Sequence, residues 1–231
     1  KEVLIRGFAK ALRNEETYIF APDMGTDEEC MAWVKDEIGR VVALPREVGG
    51  IPLDAIGATG WGLLNAVEMA LDHCGFELPG ARVVVQGFGA VGRNAARFLT
   101  EKGAVLVAVA DSRGGVHLPE GLDMARLEAL KDAGRSVADY PGATRLERDE
   151  VVGVPCDIWI PAARPDVVHE DNVDLLQTRL VVEGANIPFT EGAEEILHER
   201  GVLVVPDFIA NAGGVICAAM EYHGATQSAA M

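Results

Sequence analysis

The sequence predicts an α/β fold: a Rossmann-like, doubly wound, mostly parallel sheet. Three observations predict it. Residues 83–93 read VVVQGFGAVGR, an apolar β-branched run that breaks into the turn Gly87-Phe88-Gly89-Ala90-Val91-Gly92. A helix-forming stretch, NAARFLTEK, and a second apolar run ending in Asp111 follow at once. From there to the end of the chain, strand-like segments alternate with helical ones, the pattern of a parallel sheet with helices on both faces.

The elements follow in order. Val3, Ile5, Phe8 and Leu12 stand at helical spacing and predict a helix over residues 2–13. TYIFAPD predicts a short strand that runs into a proline turn. Thr26, with Glu29 three positions later, reads as the N-cap and capping box of a helix reaching Ile38, and Gly39 stops it. The glycine-rich segment VGGIPLDAIGATGWG, residues 48–62, leads into a helix that ends at Cys74 and Gly75. The dinucleotide-type unit begins near Ala81. GGVHLPEG predicts a short hairpin, and Leu122–Lys131 a helix. Residues 133–150 are polar and mixed, and are expected at the surface. CDIWIPA, LVVEGAN and VLVVPD predict three more strands. A short helical piece follows the first, EGAEEILHE forms a helix after the second, and a closing helix starts at Phe208.

Composition narrows the function. The chain has 231 residues, 49% of them hydrophobic, which suffices for one large domain or for one domain and part of another. A net charge of −16 would repel nucleic acid and anionic membranes, and no Lys/Arg cluster offsets it. Neither is expected as a partner. Cys30, Cys74, Cys156 and Cys217 are scattered, with no CxxC pair, so neither a metal site nor a redox motif is expected. Buried thiols in a reducing cytoplasm fit this usage. No apolar run reaches the length of a membrane span, and no signal peptide opens the chain. The sequence starts at Lys1 and ends in GATQSAAM, so it is expected to be part of a longer protein.

The glycine turn has a specific chemistry. Gly87 allows a tight turn, Gly89 lets the backbone approach a pyrophosphate, and Gly92 lets the helix pack close to the strand. The helix N-terminus offers free N–H groups and partial positive charge to phosphates. Asp111 lies 19 positions beyond Gly92, the spacing of an acid that meets the adenosine ribose. A carboxylate there favours NAD, while Ser112 and Arg113 could hold the 2′-phosphate of NADP, and the two cofactors stay open. Three later strands end in small or polar residues: Pro161-Ala162-Ala163, Gly184-Ala185-Asn186, and Pro206-Asp207 with Asn211 just beyond. In a doubly wound sheet, ligands sit at the carboxyl ends of the strands. Small residues there would let a flat nicotinamide lie against the backbone.

APDMGT (21–26), GGIPLDAIGATGWG (49–62), GFGAVG (87–92), ADSRGG (110–115), PAA (161–163), EGAN (183–186) and PDFIANAGGV (206–215) occur in this order. Together they resemble the Glu/Leu/Phe/Val dehydrogenase family, above all its glutamate dehydrogenase branch, and the likeness covers nearly the whole chain. The resemblance implies interconversion of an L-amino acid with its 2-oxo acid and ammonia, with hydride passing to NAD or NADP. It implies a substrate domain and a Rossmann-type domain flanking a cleft, and assembly as hexamers or other homo-oligomers. On that basis residues 1–45 are expected to be a remnant of the substrate and oligomerisation domain, and 46–231 the dinucleotide domain with the closing helix.

The resemblance also implies roles. Asp23 matches the family's catalytic aspartate, which transfers a proton at the substrate nitrogen. Thr59 matches a threonine at the nicotinamide carboxamide. Asn186 and Asn211 match polar groups near the nicotinamide ribose and ring, and Ala162 and Ala163 line the same end. Three departures stand out. The family's catalytic lysines lie in a glycine-rich stretch upstream of APDMGT, whereas Lys1, Lys10, Lys35, Lys102 and Lys131 are the only lysines here. The expectation is that roughly the first third of the enzyme precedes Lys1, and that the chain alone is inactive. Ala218 stands where glutamate-specific members carry a serine that reaches the substrate side chain. Ala90 stands where many members have Asn. A parent acting on leucine, valine or phenylalanine, or a dinucleotide-binding module without catalysis, remain the alternatives.

Overall fold

The computed structural model describes residues 1–14, 17–23 and 25–230; Met24 of the APDMGT motif lies outside them. The contacts of the chain form two units, Lys1–Ala58 with Gly214–Met231, and Thr59–Gly213. This grouping joins most of the closing helix to the N-terminal segment, where the sequence reading joins it to the sheet.

In the smaller unit, α1 (Glu2–Ala11) lies against α2 (Glu28–Ile38). Ala9 packs with Cys30, Met31, Val34 and Leu44. Arg6 ties the two helices at the rim, bonding Glu2 at 2.8 Å, Glu37 at 3.1 Å and Asp36 at 3.2 Å. The N-cap of α2 is Asp27, which accepts the Cys30 N–H at 3.0 Å, and not Thr26. The Thr26 hydroxyl is turned back to Asp23, so no capping box forms with Glu29. An aspartate at the cap also meets the positive end of the helix. Gly39 ends α2 at φ 76°, as expected. The strand expected in TYIFAPD amounts to a single bridge between Phe20 and Val41. The glycine-rich segment contains a short helix, α3 (Leu53–Ile56).

The larger unit begins with α4 (Ala58–Cys74), whose first residue belongs to the smaller one. Next come β1 (Arg82–Gln86), α5 (Ala90–Glu101), β2 (Val105–Asp111), β3 (Gly114–His117) and α6 (Met124–Asp132). The remaining elements are β4 (Thr144–Leu146), β5 (Ile158–Pro161), β6 (Leu180–Val182), α7 (Glu191–Glu199), β7 (Leu203–Val205) and α8 (Asp207–Ala210). The strands form one sheet in the order β4-β3-β2-β1-β5-β6-β7. Neighbours from β2 to β7 run parallel, and β3 pairs antiparallel with both β2 and β4. The hairpin expected within GGVHLPEG does not form: only its first half, β3, is a strand, and it folds back on β2 and pairs with β4 on its other side.

Successive residues of a strand face opposite sides, so one apolar run feeds two cores. Val83, Val85, Ile158 and Ile160 meet Leu63 and Leu64 of α4 and Leu99 of α5. Val84, Trp159 and Val181 meet Phe189 and, from α7, Ala193 and Leu197. Residues 133–150 are not simply surface. Ser136, Val137, Ala138 and Tyr140 are buried there, and β4 extends the sheet. The short helical piece after β5 is a single 3₁₀ turn, Val173–Leu175.

The closing helix is broken. After α8 the chain restarts as α9 (Gly213–Tyr222), and α10 (Gln227–Ala230) follows. Back in the smaller unit, Cys217 of α9 packs with Ala43, Ile51 and Leu53, and the Glu221 carboxylate accepts the Ala43 and Leu44 N–H groups. Ala43 has φ 58°, a left-handed conformation that a side-chain clamp helps to hold.

The position of α5 on β1 depends on its buried face. Leu99 is fully buried against the sheet. Leu99→Ala is expected to destabilise the larger unit by about 2–5 kcal/mol, measured by urea unfolding, with no change in the α1–α2 pair.

Candidate functional site

The sheet reverses its winding at β1. From β1 the chain moves to β2 on one side and later returns to β5 on the other. The carboxyl ends of β1 and β5 therefore lie at the switch point, where such sheets leave a crevice for ligands. Gly87 leaves β1 at φ 104°, and a Cβ there would come within 2.6 Å of the Ala162 carbonyl oxygen. Gly92 is buried, and a Cβ on it would collide with the Gly87 carbonyl. Gly89 is the opposite case: it is exposed, and a Cβ would meet nothing within 4 Å. Two glycines thus let helix and strands close up, and the third leaves open space at the N-terminus of α5. Gly89 is the N-cap residue, and among the described residues no side chain caps that terminus. Ala90 is exposed beside it, Val91 packs partly on the core, and Phe88 is buried in the core at 2% exposure. Phe88 can therefore offer only its backbone to a ligand.

Asp111 sits at the tip of β2, as expected, but its carboxylate is filled from within the chain. Oδ1 accepts the Arg113 N–H at 2.9 Å and the Ser136 hydroxyl at 2.8 Å. Oδ2 accepts from Lys131 Nζ at 3.0 Å and the Val137 N–H at 3.1 Å. Burial alone would favour the neutral form. The four donors outweigh it and hold the carboxyl below the usual aspartate range. Ser112 and Arg113 are exposed next to it, with the guanidinium also donating to the Gly134 carbonyl at 3.1 Å.

The three later strand ends are tied together. The Gly184 and Ala185 N–H groups both donate to the Pro161 carbonyl, and the Ala162 N–H donates to the Gln86 carbonyl at 2.7 Å. Ala162 is half-buried and Ala163 exposed. Asn186 and Asn211, 25 positions apart, meet through Asn211 Nδ2 donating to Asn186 Oδ1 at 2.7 Å. Thr59, partly exposed, opens α4. Beside it, Gly60 brings α4 against α5, since a Cβ there would lie 2.7 Å from the Ala95 backbone nitrogen.

The smaller unit holds the other two candidates. Asp23 is exposed and starts a turn. Its carbonyl accepts the Thr26 N–H at 2.8 Å, its own N–H donates to the Thr26 hydroxyl at 2.7 Å, and Gly25 takes φ 80° between them. Ala218 is half-buried on α9 against the cluster of Ala43, Ile51, Leu53 and Cys217. Among the described residues, no group of three or more His, Cys, Asp or Glu side chains could hold a metal ion, and no helix is long and apolar enough to cross a membrane.

The sequence reading missed Glu183 as a residue in its own right. It is buried at 2% exposure, just past β6. Burial pushes its carboxyl up to about 7; the nearby acids Glu194 and Asp207 add to this, and the Asp207 N–H opposes it. The available signal was a charged residue directly after the apolar run LVV.

Residues 49–231 match the family described as Glutamate/Leucine/Phenylalanine/Valine dehydrogenase. The chain belongs to this family. A glutamate dehydrogenase of Aeropyrum pernix is 40% identical over 211 residues, which take in 87% of this chain and 50% of that protein. An NADP-specific glutamate dehydrogenase of Saccharolobus shibatae is 36% identical over 234 residues, 96% of this chain and 55% of that protein. Among solved structures, the hetero-hexameric glutamate dehydrogenase of Thermus thermophilus in a Leu-bound form superposes with a TM-score of 0.87 at 34% identity, over 96% of this chain and 55% of that one. This member of the Glu/Leu/Phe/Val dehydrogenase family thus spans about half the length of the curated relatives it matches.

Glu183 gives the site a pH signature. Its folded value of about 7 lies above the ordinary 4.5. As pH rises from the ordinary value to the folded one, the unfolded chain loses its proton first, so this group lowers stability progressively across that window. Above the folded value the loss is complete and constant. The melting temperature of Glu183→Gln relative to the unmodified chain is expected to rise across the window and level off at alkaline pH. A difference that stays flat from acid to alkaline pH would contradict the assignment.

Proposed function

We propose that this chain is the dinucleotide-binding portion of an NAD(P)-dependent amino acid dehydrogenase. The parent oxidatively deaminates an L-amino acid, glutamate foremost, to its 2-oxo acid and ammonia, and runs the reverse reductive amination. The observation that carries the reading is the Gly87–Gly92 turn, where open space at Gly89 meets an uncapped helix N-terminus. The backbone of residues 87–92 would hold the pyrophosphate. Ser112 and Arg113 would meet the adenosine end of NAD or NADP, with Asp111 behind them. Thr59, Ala162, Ala163, Asn186 and Asn211 would hold the nicotinamide end. The cofactor, when bound, supplies the hydride acceptor.

Asp23 is the group proposed to move a proton. Its carboxylate takes a proton from the substrate nitrogen in deamination and returns it in amination. The glutamate dehydrogenase names of the relatives support glutamate as substrate. Ala218, which brings no hydroxyl and packs on an apolar cluster, supports a leucine-, valine- or phenylalanine-type substrate as a second reading. The parent is proposed to assemble as a homo-oligomer, a hexamer by likeness, and to work in the cytoplasm. Acidic residues outnumber basic ones by 36 to 20, which argues against nucleic acid as a partner.

Gly89→Val puts a branched side chain into the open space at the turn. Its affinity for NAD and NADP, measured by calorimetry, is expected to fall more than tenfold, about 1.4 kcal/mol or more. Unchanged affinity in a folded variant would show that the turn does not hold the phosphates.

Asp23→Asn in the full-length enzyme keeps the shape and removes the base. The expected result is a fall in kcat of at least about 10²-fold, with the matching limb of the pH profile lost and cofactor affinity retained. A kcat within a fewfold of normal, with a lowered melting temperature, would make Asp23 structural.

A further inference from the structure

Glu183 stands at the head of a run of hydrogen bonds that crosses from β6 to the start of α8. Its Oε2 accepts the Asp207 N–H at 2.9 Å. Asp207 then works in two directions. Its Oδ2 accepts the Ile187 N–H at 2.8 Å, and its carbonyl accepts the Asn211 N–H at 2.8 Å. Ile187 directly follows Asn186, and the run closes where the Asn186 and Asn211 side chains meet at 2.7 Å. Four bonds thus join two loops through one buried acid.

Two costs show that this run is a constraint the chain maintains. Ile187 has φ 49°, a left-handed conformation that a β-branched residue adopts only when its surroundings impose it. Glu183 is buried with Oε1 lacking a hydrogen-bond partner among the described residues, and the charged groups bearing on it, Glu194 of α7 and Asp207 of α8, are both acids. A buried polar atom without a partner is destabilising, so the pairing of the other oxygen has to offset it. An apolar residue at position 183 would remove that cost, but it would leave the Asp207 N–H without its acceptor.

We infer that Glu183 is a positioning residue for the nicotinamide end of the site. By holding Asp207 it keeps Ile187 left-handed and Asn211 in place, and so sets the Asn186–Asn211 pair. What the pair contacts rests on the cofactor reading given under Proposed function; the relay itself is a property of the free chain.

The test compares Glu183→Leu, Glu183→Gln and Asp207→Ala in the 231-residue chain. Hydrogen–deuterium exchange is read amide by amide, and NAD and NADP affinity by calorimetry. Glu183→Leu removes the acceptor, so exchange at the Asp207 and Ile187 amides should rise about tenfold or more, while β1 and β2 keep their protection. Glu183→Gln retains an acceptor oxygen and should restore both amides. Asp207→Ala cuts the arm to Ile187, together with the bond that the Phe208 N–H donates to the same carboxylate. It should free the Ile187 and Phe208 amides and leave the amide of residue 207 protected, and it serves where the leucine variant fails to fold. Cofactor affinity should drop about tenfold in the leucine and alanine variants and recover with glutamine. Unaltered exchange at Ile187 in Asp207→Ala, or full cofactor affinity in a variant whose Ile187 amide is freed, overturns the inference while the cofactor reading stands. An unmodified chain that binds neither NAD nor NADP overturns the cofactor reading, and with it the positioning role.

Discussion

A methyl group does not fit between α5 and the end of β1. At Gly92 it would strike the Gly87 carbonyl, and at Gly87 it would press on the backbone of Ala162. Because both positions are glycine, the helix, the turn and two neighbouring strands meet backbone to backbone. That contact sets where the N-terminus of α5 points, and the crevice between β1 and β5 lies beside it. The apolar runs of the strands supply the driving force for the unit, but they would tolerate many arrangements of similar volume. Close approach at the glycines selects one of them.

The two buried acids of the larger unit show how position decides charge. Asp111 and Glu183 each follow an apolar run at a strand end, and both are almost fully buried. Asp111 receives four hydrogen bonds, one of them from a lysine, and stays ionised. Glu183 receives one, with acids nearby, and holds its proton more tightly. Burial acts on both, and the number and sign of the partners decide whether it is offset. Asp111 anchors the segment that carries Ser112 and Arg113. Glu183 holds the Asp207 N–H at the head of the segment that carries Asn211.

Local signals in the sequence were enough for the parallel strands and for most helices. The runs VVVQ, VLVAVAD, LVV and LVV lie in parallel strands, where continuous burial leaves a continuous apolar stretch. Gly39 and Gly75 end helices because both take left-handed backbone. What could not be read was any feature fixed by distant partners. Residues 133–150 look polar in sequence, yet Ser136 and Val137 turn inward to reach Asp111, 25 and 26 positions away. Thr26 and Asp27 are both good caps, and the choice fell to Asp27 because Thr26 is engaged by the turn at Asp23. The break between α8 and α9 lies within a run, FIANAGGVICAAM, that reads as helical apart from its glycines. Of the candidate site, the glycine turn and the asparagines were legible as motifs. The committed state of Asp111 and the burial of Phe88 were not, because lone pairs and exposure depend on neighbours that one sequence does not name.

Gly60 has a mechanical consequence. It seats α4 directly on α5, and the residue before it is Thr59. The hydroxyl of Thr59 and the glycine turn at the head of α5 are therefore carried by two helices in backbone contact. They form one lever, with Gly60 as its rivet. Any bulk introduced at that rivet would pry the helices apart and displace Thr59 and the glycine turn together, although it belongs to neither.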